Sequence, residues 1–499
     1  MLTPPPSHQQ FQASLQRRLA PLLRALPSAD PSSFAENLQL VWYANLDAFA
    51  PTLAALYDPA VGRPGFDPLA MFRSLLLMHQ RGVLRITDWA EQLHTQPILA
   101  VLAGFEPDQP PAATTLYDFL ARCHAWRRGP GSITLPPRKS PPAPKRGQKV
   151  PPNERKLARF GRFFLRLFRQ QQPSAALPED TWNELLNIGV VGSVQQGIIP
   201  TDQPVDLAND TADLRSGGNS FGHRNCSCPD RNCSCPRTYS DPGARTGWDS
   251  SANCFYRGRK LGAAIETASG HGLPLVITLH PADRSDPALF QQLLVRGRRA
   301  LSTCQLGPGF ALADSAADYP PLYDLAFECG FNPLFDRRAY APEPLPDSLA
   351  AVLTAHGATL DANDRPRCAR AFLHSAGHVR PGVHVWRCPL RDPQTCPVLS
   401  CPLRAGASLI INERTAPRRL TANPRKRLAD KRRYNKRTDC ERFNSLCKAW
   451  CRLDLVRHRR DYLYLGRSAV CAILTHIRLW RPKRVPPAQA WIQNWLAAC

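Results

Sequence analysis

The chain has no apolar run near the twenty or so residues that a bilayer-spanning helix needs; runs such as Leu75-Leu76-Leu77-Met78 stop far short of it. A helical membrane protein is therefore excluded. The opening MLTPPPSHQQ lacks the charged-then-apolar order of a secretory leader, so the expected compartment is the cytoplasm. Acidic residues are in short supply: 40 Asp and Glu face 64 Lys and Arg, a net charge of +24. With 43% hydrophobic residues the chain is otherwise ordinary for a folded protein, and its 499 residues suffice for two or three domains. Such an excess of cations points to a polyanionic partner, by default nucleic acid, because each phosphate that Lys or Arg neutralises releases condensed counterions. Seventeen cysteines in a large chain without a leader read as free thiols or metal ligands rather than as disulfides.

Residues 1–128 read as an all-helical domain and a candidate DNA-binding bundle. Apolar periodicity runs through Met71 to Leu77, Thr87 stands as an N-cap before Asp88-Trp89-Ala90, and Thr115-Leu116-Tyr117-Asp118 resembles a capping box. No helix-turn-helix spacing is clean, and a plain packing domain fits as well. Residues 129–154 are rich in Pro, Lys and Arg, a composition that forms no core and reads as a basic linker. A basic amphipathic helix is expected from Arg155 to Arg169. Residues 155–485 then alternate strand and helix: strands over 205–210, 262–267 and 273–279, a helix over 287–301, a strand over 310–314, a helix over 319–329 and a strand over 332–335. This is an α/β pattern, a mixed sheet flanked by helices, with Cys-rich insertions at 216–250 and 340–415.

Asp210 ends the first of these strands and Asp314 the fourth, which in such a topology lie side by side at one edge of the sheet. A helix opening near Asn423-Pro424 would bring Glu441 to the same edge. If that helix is continuous, Tyr434, Arg437, Glu441 and Lys448 fall at roughly 0°, −60°, −20° and −40°, one narrow stripe. Three converging carboxylates suit two Mg²⁺ (or Mn²⁺) ions, whose hard charge prefers oxygen ligands and activates a water or 3′-hydroxyl at a phosphodiester. Asp206, Asp213 and Asp318 compete for the same roles, and Glu441 could simply pair with Arg437 four residues earlier.

On Asn209-Asp210-Thr211, on Ala313-Asp314-Ser315 with Ala316-Ala317-Asp318, and above all on Tyr434, Arg437, Glu441 and Lys448, the chain resembles the bacterial insertion-sequence transposases with an RNase H-like core and an Asp-Asp-Glu triad. The last four stand at that family's Tyr-two-Arg-three-Glu-six-Lys spacing, and His280 to Asp286 resembles its segment after the third strand. The resemblance implies metal binding by Asp210, Asp314 and Glu441, DNA contacts by Tyr434, Arg433, Arg437 and Lys448, and a homodimer assembled on element-end and target DNA at the nucleoid. It also implies strand transfer without a covalent enzyme intermediate. Thr211 departs from the small residue common beside the first Asp, and the 216–250 insertion is unusual. Two other readings stay open: a related nuclease or a decayed transposase that only binds DNA, and a zinc-stabilised nucleic-acid-binding protein without catalysis.

Arg224 to Pro229 recurs at once as Arg231 to Pro236, which sets Cys226, Cys228, Cys233 and Cys235 within ten residues beside His223. Four thiolates satisfy tetrahedral Zn²⁺, although the spacing is Cys-x-Cys rather than Cys-x-x-Cys, and a flexible reduced loop is the alternative. A second group, His374, His378, His384, Cys388, Cys396 and Cys401, reads as paired turns around another zinc or as scattered thiols and histidines. The basic run from Arg418 to Arg437 leads into Glu441 and reads as a DNA-tracking surface. Trp450, Tyr462, Tyr464 and Trp480 read as core anchors.

Overall fold

The computed structural model describes residues 5–25, 31–58, 65–124, 163, 165–166, 169–170, 179–230, 233–249, 252–337, 344–390, 395–404, 406–421 and 428–499. The expected linker, most of the expected helix from Arg155 to Arg169, and the Asn423-Pro424 helix start lie outside these residues. Among the described residues up to His124 there are seven α-helices: α1 (His8–Arg24), α2 (Ala35–Tyr43), α3 (Ala50–Ala54), α4 (Pro68–Gln80), α5 (Ile86–Thr95), α6 (Pro97–Ala103) and α7 (Ala113–His124). The first is closed by a capping box, the Ser7 hydroxyl accepting from the Gln10 amide at 3.3 Å while the Ser7 amide donates to Gln10 Oε1 at 2.9 Å. Asp67 caps α4 through the Leu69 amide at 2.9 Å, with Pro68 as first helical residue. Two expected starts shift: α5 opens at Ile86, so Thr87 lies inside it, and α7 opens at Ala113, ahead of Thr115. Shifts of two to three residues are of the order by which helix ends vary.

Residues Pro68 to His79 of α4 are buried throughout, as are Ile98 to Ala103 of α6. Neither helix has a polar face to offer a DNA groove. They share one hydrophobic core with α15 (Asp461–Leu479) and α16 (Ala488–Ala498) at the end of the chain, α4 and α7 packing on α15 and α2 on α16. Buried Arg467 of α15 donates to the carbonyls of Cys451 (2.7 Å), Val83 (3.0 Å) and Leu84 (2.6 Å), which satisfies a guanidinium far from solvent. Cys451 and Cys471, the latter in α15, form a disulfide, so for these two the expectation of free thiols fails; both are buried.

The mixed sheet follows α8 (Asp180–Gln195). Strand β1 (Val205–Arg215) pairs antiparallel with β5 (Cys254–Glu266) and parallel with β7 (Pro308–Ala313), and β8 (Asn332–Phe335) adds parallel to β7. The other edge of β5 is divided: Arg259 to Ile265 pair with β6 (Pro274–Pro281) and Cys254 to Gly258 with β4 (Arg245–Asp249). Helices α9 (Asp286–Thr303) and α10 (Pro320–Glu328) connect β6 to β7 and β7 to β8. Alternation assigns the two faces. Ala208, Ala263, Ile265 and Leu312 join the core containing α15, while Leu207, Ala264, Ala311 and Ala313 join the core under α9 and α10. A sheet covered on both sides is therefore built from nearly continuous apolar runs, which is why those strands stand out in the sequence.

The 216–250 insertion carries β2 (His223–Arg224) and β3 (Arg237–Thr238), paired antiparallel, ahead of β4. A second insertion holds α11 (Asp347–Ala355), the pair β9 (Ala358–Leu360) and β10 (Pro366–Cys368), and a sheet of β11 (His374–Arg380), β12 (Val383–Arg387) and β13 (Leu409–Asn412). Its own small core gathers Leu349, Leu353, Trp386, Leu403, Leu409 and Ile411. After α12 (Pro417–Leu420) come α13 (Leu428–Asn435) and α14 (Thr438–Ala449). No helix among the described residues is long and apolar enough to cross a membrane.

Candidate active site

The β1–β7 register pairs Leu207 with Ala311 and Ala208 with Leu312. Two residues further on, Asp210 and Asp314 reach equivalent positions on neighbouring parallel strands, on the face that carries Ala208 and Leu312. Asp314 directly follows β7 and caps a short 3-10 turn, its Oδ1 accepting from the Ala316 amide at 3.0 Å. Helix α14 packs across β1 and β5 on that face, where Asn444 Nδ2 donates to Asp210 Oδ2 at 3.2 Å. Cys440 and Phe443 of α14 are buried, which fixes its roll and leaves Glu441 and Lys448 exposed.

The expected continuous helix is in fact two. The hydrogen bonds tighten at the junction: the amides of Lys436, Arg437 and Asp439 donate to the carbonyls three residues back, and the Thr438 hydroxyl donates to the Asn435 carbonyl at 2.8 Å. A hydroxyl that satisfies a backbone carbonyl locally competes with the helical ladder, so the stripe is interrupted between Tyr434 and Glu441. Arg437 nevertheless reaches forward to Glu441 Oε1 at 2.7 Å, the four-residue pairing weighed from the sequence.

Electrostatics draw these groups together. Asp210 is pushed up from 3.8 to about 6, first by burial and then by the charges of Asp314 and Glu441; the Thr211 amide and the Arg437 guanidinium pull it the other way. Arg437 itself lies in the field of Tyr434, Glu441, Asp210 and Asp314, and burial raises the Tyr434 phenol. Asp336, which follows β8, also acts on Tyr434; it is not among the residues expected from the sequence, although its place one residue beyond an apolar strand is the same signal that marks Asp314. The acids that competed for the site are committed elsewhere. Asp206 pairs with Arg433 at 3.1 Å, Asp213 accepts from the Tyr256 hydroxyl at 2.5 Å, and buried Asp318 is held by Arg418 through two contacts of 2.8 Å.

Arg433 is thus engaged within the protein, its guanidinium also lying 4.1 Å over the Phe310 ring, although its side chain stays 44% exposed. Arg418 and Arg419 of the basic run are likewise consumed, the latter by Asp364 at 2.6 Å, so the run is not one open surface from its first residue; Arg425 to Arg427 lie outside the described residues. Lys431, Arg432 and Lys436 are exposed. Tyr464 and Trp480 are core residues and Tyr462 packs against the core, whereas Trp450 is half exposed with Arg478 lying 3.3 Å over its ring.

Among the described residues two groups bring three or more ligand atoms within 4.8 Å of one another, Cys226, Cys228, Cys233 and Cys235, and His378, His384 and Glu413; Asp210, Asp314 and Glu441 do not close to that distance as a set. The second divides the His/Cys group expected from the sequence. His378 and His384 face each other across the β11–β12 hairpin and share Glu413, each at 2.9 Å, while His374 stands exposed. Cys388 lies beyond β12 in the field of Cys368, Cys396 and Cys401. Hairpin register sorts residues by strand position, so neighbours in sequence part company.

Residues 30–122 match the family model described as Transposase domain (DUF772), and this supports a transposase role. No curated protein matches the chain. The matched segment spans α2 to α7.

Proposed function

We propose that this chain is a DDE transposase with an RNase H-like core, acting at the bacterial nucleoid, that cleaves the ends of its element and joins the freed 3′-hydroxyls to target DNA. The observation that carries the reading is that Asp210 and Asp314 take neighbouring positions on β1 and after β7 and, with Glu441, act on the charge of Arg437, while the rival acids already have partners. A mixed sheet with Asp210 in the middle of β1 and Asp314 at the neighbouring position just after parallel β7 suits an RNase H-like core, and the matched transposase domain supports a transposase role.

The three carboxylates fit divalent metal: they are hard oxygen donors, and Asp210 holds its proton up to about 6, first because burial disfavours its charge and then because Asp314 and Glu441 are negative. Asp210, Asp314 and Glu441 would hold Mg²⁺ or Mn²⁺, which would supply an activated nucleophile and stabilise the leaving oxygen of an in-line displacement. The chain's own groups do the rest. Arg437 restrains Glu441 until it is needed, and its remaining N–H groups can take a phosphate oxygen. Lys448, two helical turns along α14, meets the DNA backbone, and Tyr434 lies beside the terminal nucleotides. A homodimer holds the two element ends together.

Glu441→Gln keeps the helix and its size but removes the charge. With Mg²⁺ and DNA carrying the element's own ends, cleavage is expected to fall by about 10³-fold or more while binding is retained. Cleavage at the wild-type rate in this variant would reject the triad. Strand-transfer products, absent for a simple nuclease, decide between those two activities, and binding without any cleavage in the wild type would leave only a DNA-binding role.

A further inference from the structure

The insertion between β1 and β4 has almost nothing to hold it. None of the described residues from 216 to 240 is buried, and the only regular structure among them is the pair β2–β3, two residues in each strand. A segment of this length without apolar burial cannot offset its ordering entropy by packing, and small folds of this kind are usually held by a cross-link or a metal. At its centre lie four half-buried thiols. The tandem repeat sets equivalent cysteines face to face, Cys226 Sγ 3.4 Å from Cys233 Sγ and Cys228 Sγ 3.6 Å from Cys235 Sγ, with all four sulfurs within 4.8 Å of one another. Tetrahedral Zn²⁺ with bonds of about 2.3 Å needs sulfurs about 3.8 Å apart. The pairs are also well beyond the roughly 2.05 Å of a disulfide bond.

We propose that Cys226, Cys228, Cys233 and Cys235 bind one Zn²⁺ as a closed four-thiolate site that orders this insertion. Four thiolates would give the site two net negative charges, and the structure supplies the counter-charge. Arg224 NH2 lies 3.8 Å from Cys226 Sγ and 3.9 Å from Cys233 Sγ, and also donates to the carbonyls of Cys228 and Asp230. With no fourth position open to water the metal is structural, not catalytic. Its loop is then fixed to the rest of the molecule at the base: the Gly217 amide donates to the His458 carbonyl at 3.0 Å, Arg459 to the Gly217 carbonyl at 3.3 Å, and Asp241 pairs with Arg259 of β5. Metal binding would therefore stiffen a finger that projects from a firmly anchored stem.

The full chain, purified without chelator, is expected to contain one more equivalent of zinc than the Cys226→Ser/Cys233→Ser variant, whatever the Cys368–Cys388 region binds. Exchange of Co²⁺ into the wild type provides a readout that needs no mutation. The charge-transfer and ligand-field bands of a tetrahedral four-thiolate site are expected there and lost in the double variant. Removing zinc with a strong chelator is expected to make the chain susceptible to trypsin at Arg224 or Arg237 while the rest of the digest is unchanged. Equal zinc in wild type and variant, isolation of the four cysteines as two disulfides, or an unchanged digest after metal removal would each overturn the proposal. None of these readouts depends on DNA cleavage, so the outcome is independent of the Asp-Asp-Glu reading.

Discussion

Asp241 and Asp210 are both aspartates packed against the same sheet, yet their surroundings differ in kind. Arg259 meets Asp241 with two contacts, at 2.6 and 2.7 Å, the Ser216 hydroxyl adds a further bond, and Arg259 also reaches Asp461. Burial opposes the Asp241 charge, but Arg259 and Ser216 overcome it and hold the carboxyl below its ordinary value. Asp210 has the Thr211 amide, the Asn444 side-chain amide and one guanidinium nearby, which do not offset its burial and the like charges of Asp314 and Glu441, so its carboxyl is pushed up instead. A carboxylate that the fold has neutralised serves the fold. One left short of positive charge stores a cost that a bound cation would relieve.

The largest effect is expected where the pairing is complete. Asp241→Asn would leave Arg259, 2% exposed, without its bidentate partner, and loss of one member of a buried pair costs about 3–5 kcal/mol. Chemical denaturation should register that loss at neutral pH. Because the native carboxyl titrates below its unfolded value, the stabilisation it provides is present at neutral pH and lost as pH falls through the native value. The wild type and variant should therefore converge in acid. Equal stability at pH 7 would break the contrast.

Asp210→Asn should act in the opposite direction. The native group titrates near 6 against 3.8 unfolded, so the metal-free folded state binds the proton more readily, and stability is lost as pH rises from about 4 through about 6. At pH 8 the ionised group costs the native state on the order of 1–3 kcal/mol, which the neutral amide removes. The metal-free variant is expected to melt higher than the metal-free wild type at pH 8 and to match it near pH 3. Saturating Mg²⁺ should raise the wild-type melting temperature and leave the variant nearly unmoved. A variant that melts lower at pH 8 would make Asp210 a structural acid like Asp241.

Much of this contrast could be read from the sequence, and the rest had physical reasons to be hidden. Buried strands such as Leu275 to Leu279 and Phe310 to Ala313 announce themselves as short apolar runs, and an acid at the end of one stands out. What the sequence cannot show is which cation answers which acid. Arg433 is more than a hundred residues from Phe310 and more than two hundred from Asp206, yet the fold joins all three, and nothing local marks Glu413 as the partner of His378 and His384. The break between α13 and α14 was hidden for another reason: the side chains of Tyr434 to Lys448 keep helical spacing, and the interruption is made by backbone bonds to the third residue back and by one Thr438 hydroxyl. Of the four cysteines in the tandem repeat, by contrast, the repeat itself displayed the pairing.

The smallest predicted effect concerns the cations beside the site. Lys448 is exposed on α14, on the turns that carry Glu441, and has no need of a protein partner to stay in water. If it neutralises one phosphate, Lys448→Ala should reduce the slope of log K against log salt by about 0.9 on duplex DNA. Arg437 is 21% exposed, pairs with Glu441 and lies in the field of Asp210 and Asp314, so part of its charge is already committed. Arg437→Ala should therefore flatten the slope less than Lys448→Ala and depress cleavage more, since Glu441 loses the group that restrains it. Equilibrium binding to element-end DNA at several salt concentrations separates the two roles. If the slope is unchanged in Lys448→Ala, the spacing from Tyr434 to Lys448 is a helix-surface pattern that meets no DNA, and the site would have to draw its phosphate contacts from Lys431, Arg432 and Lys436 instead.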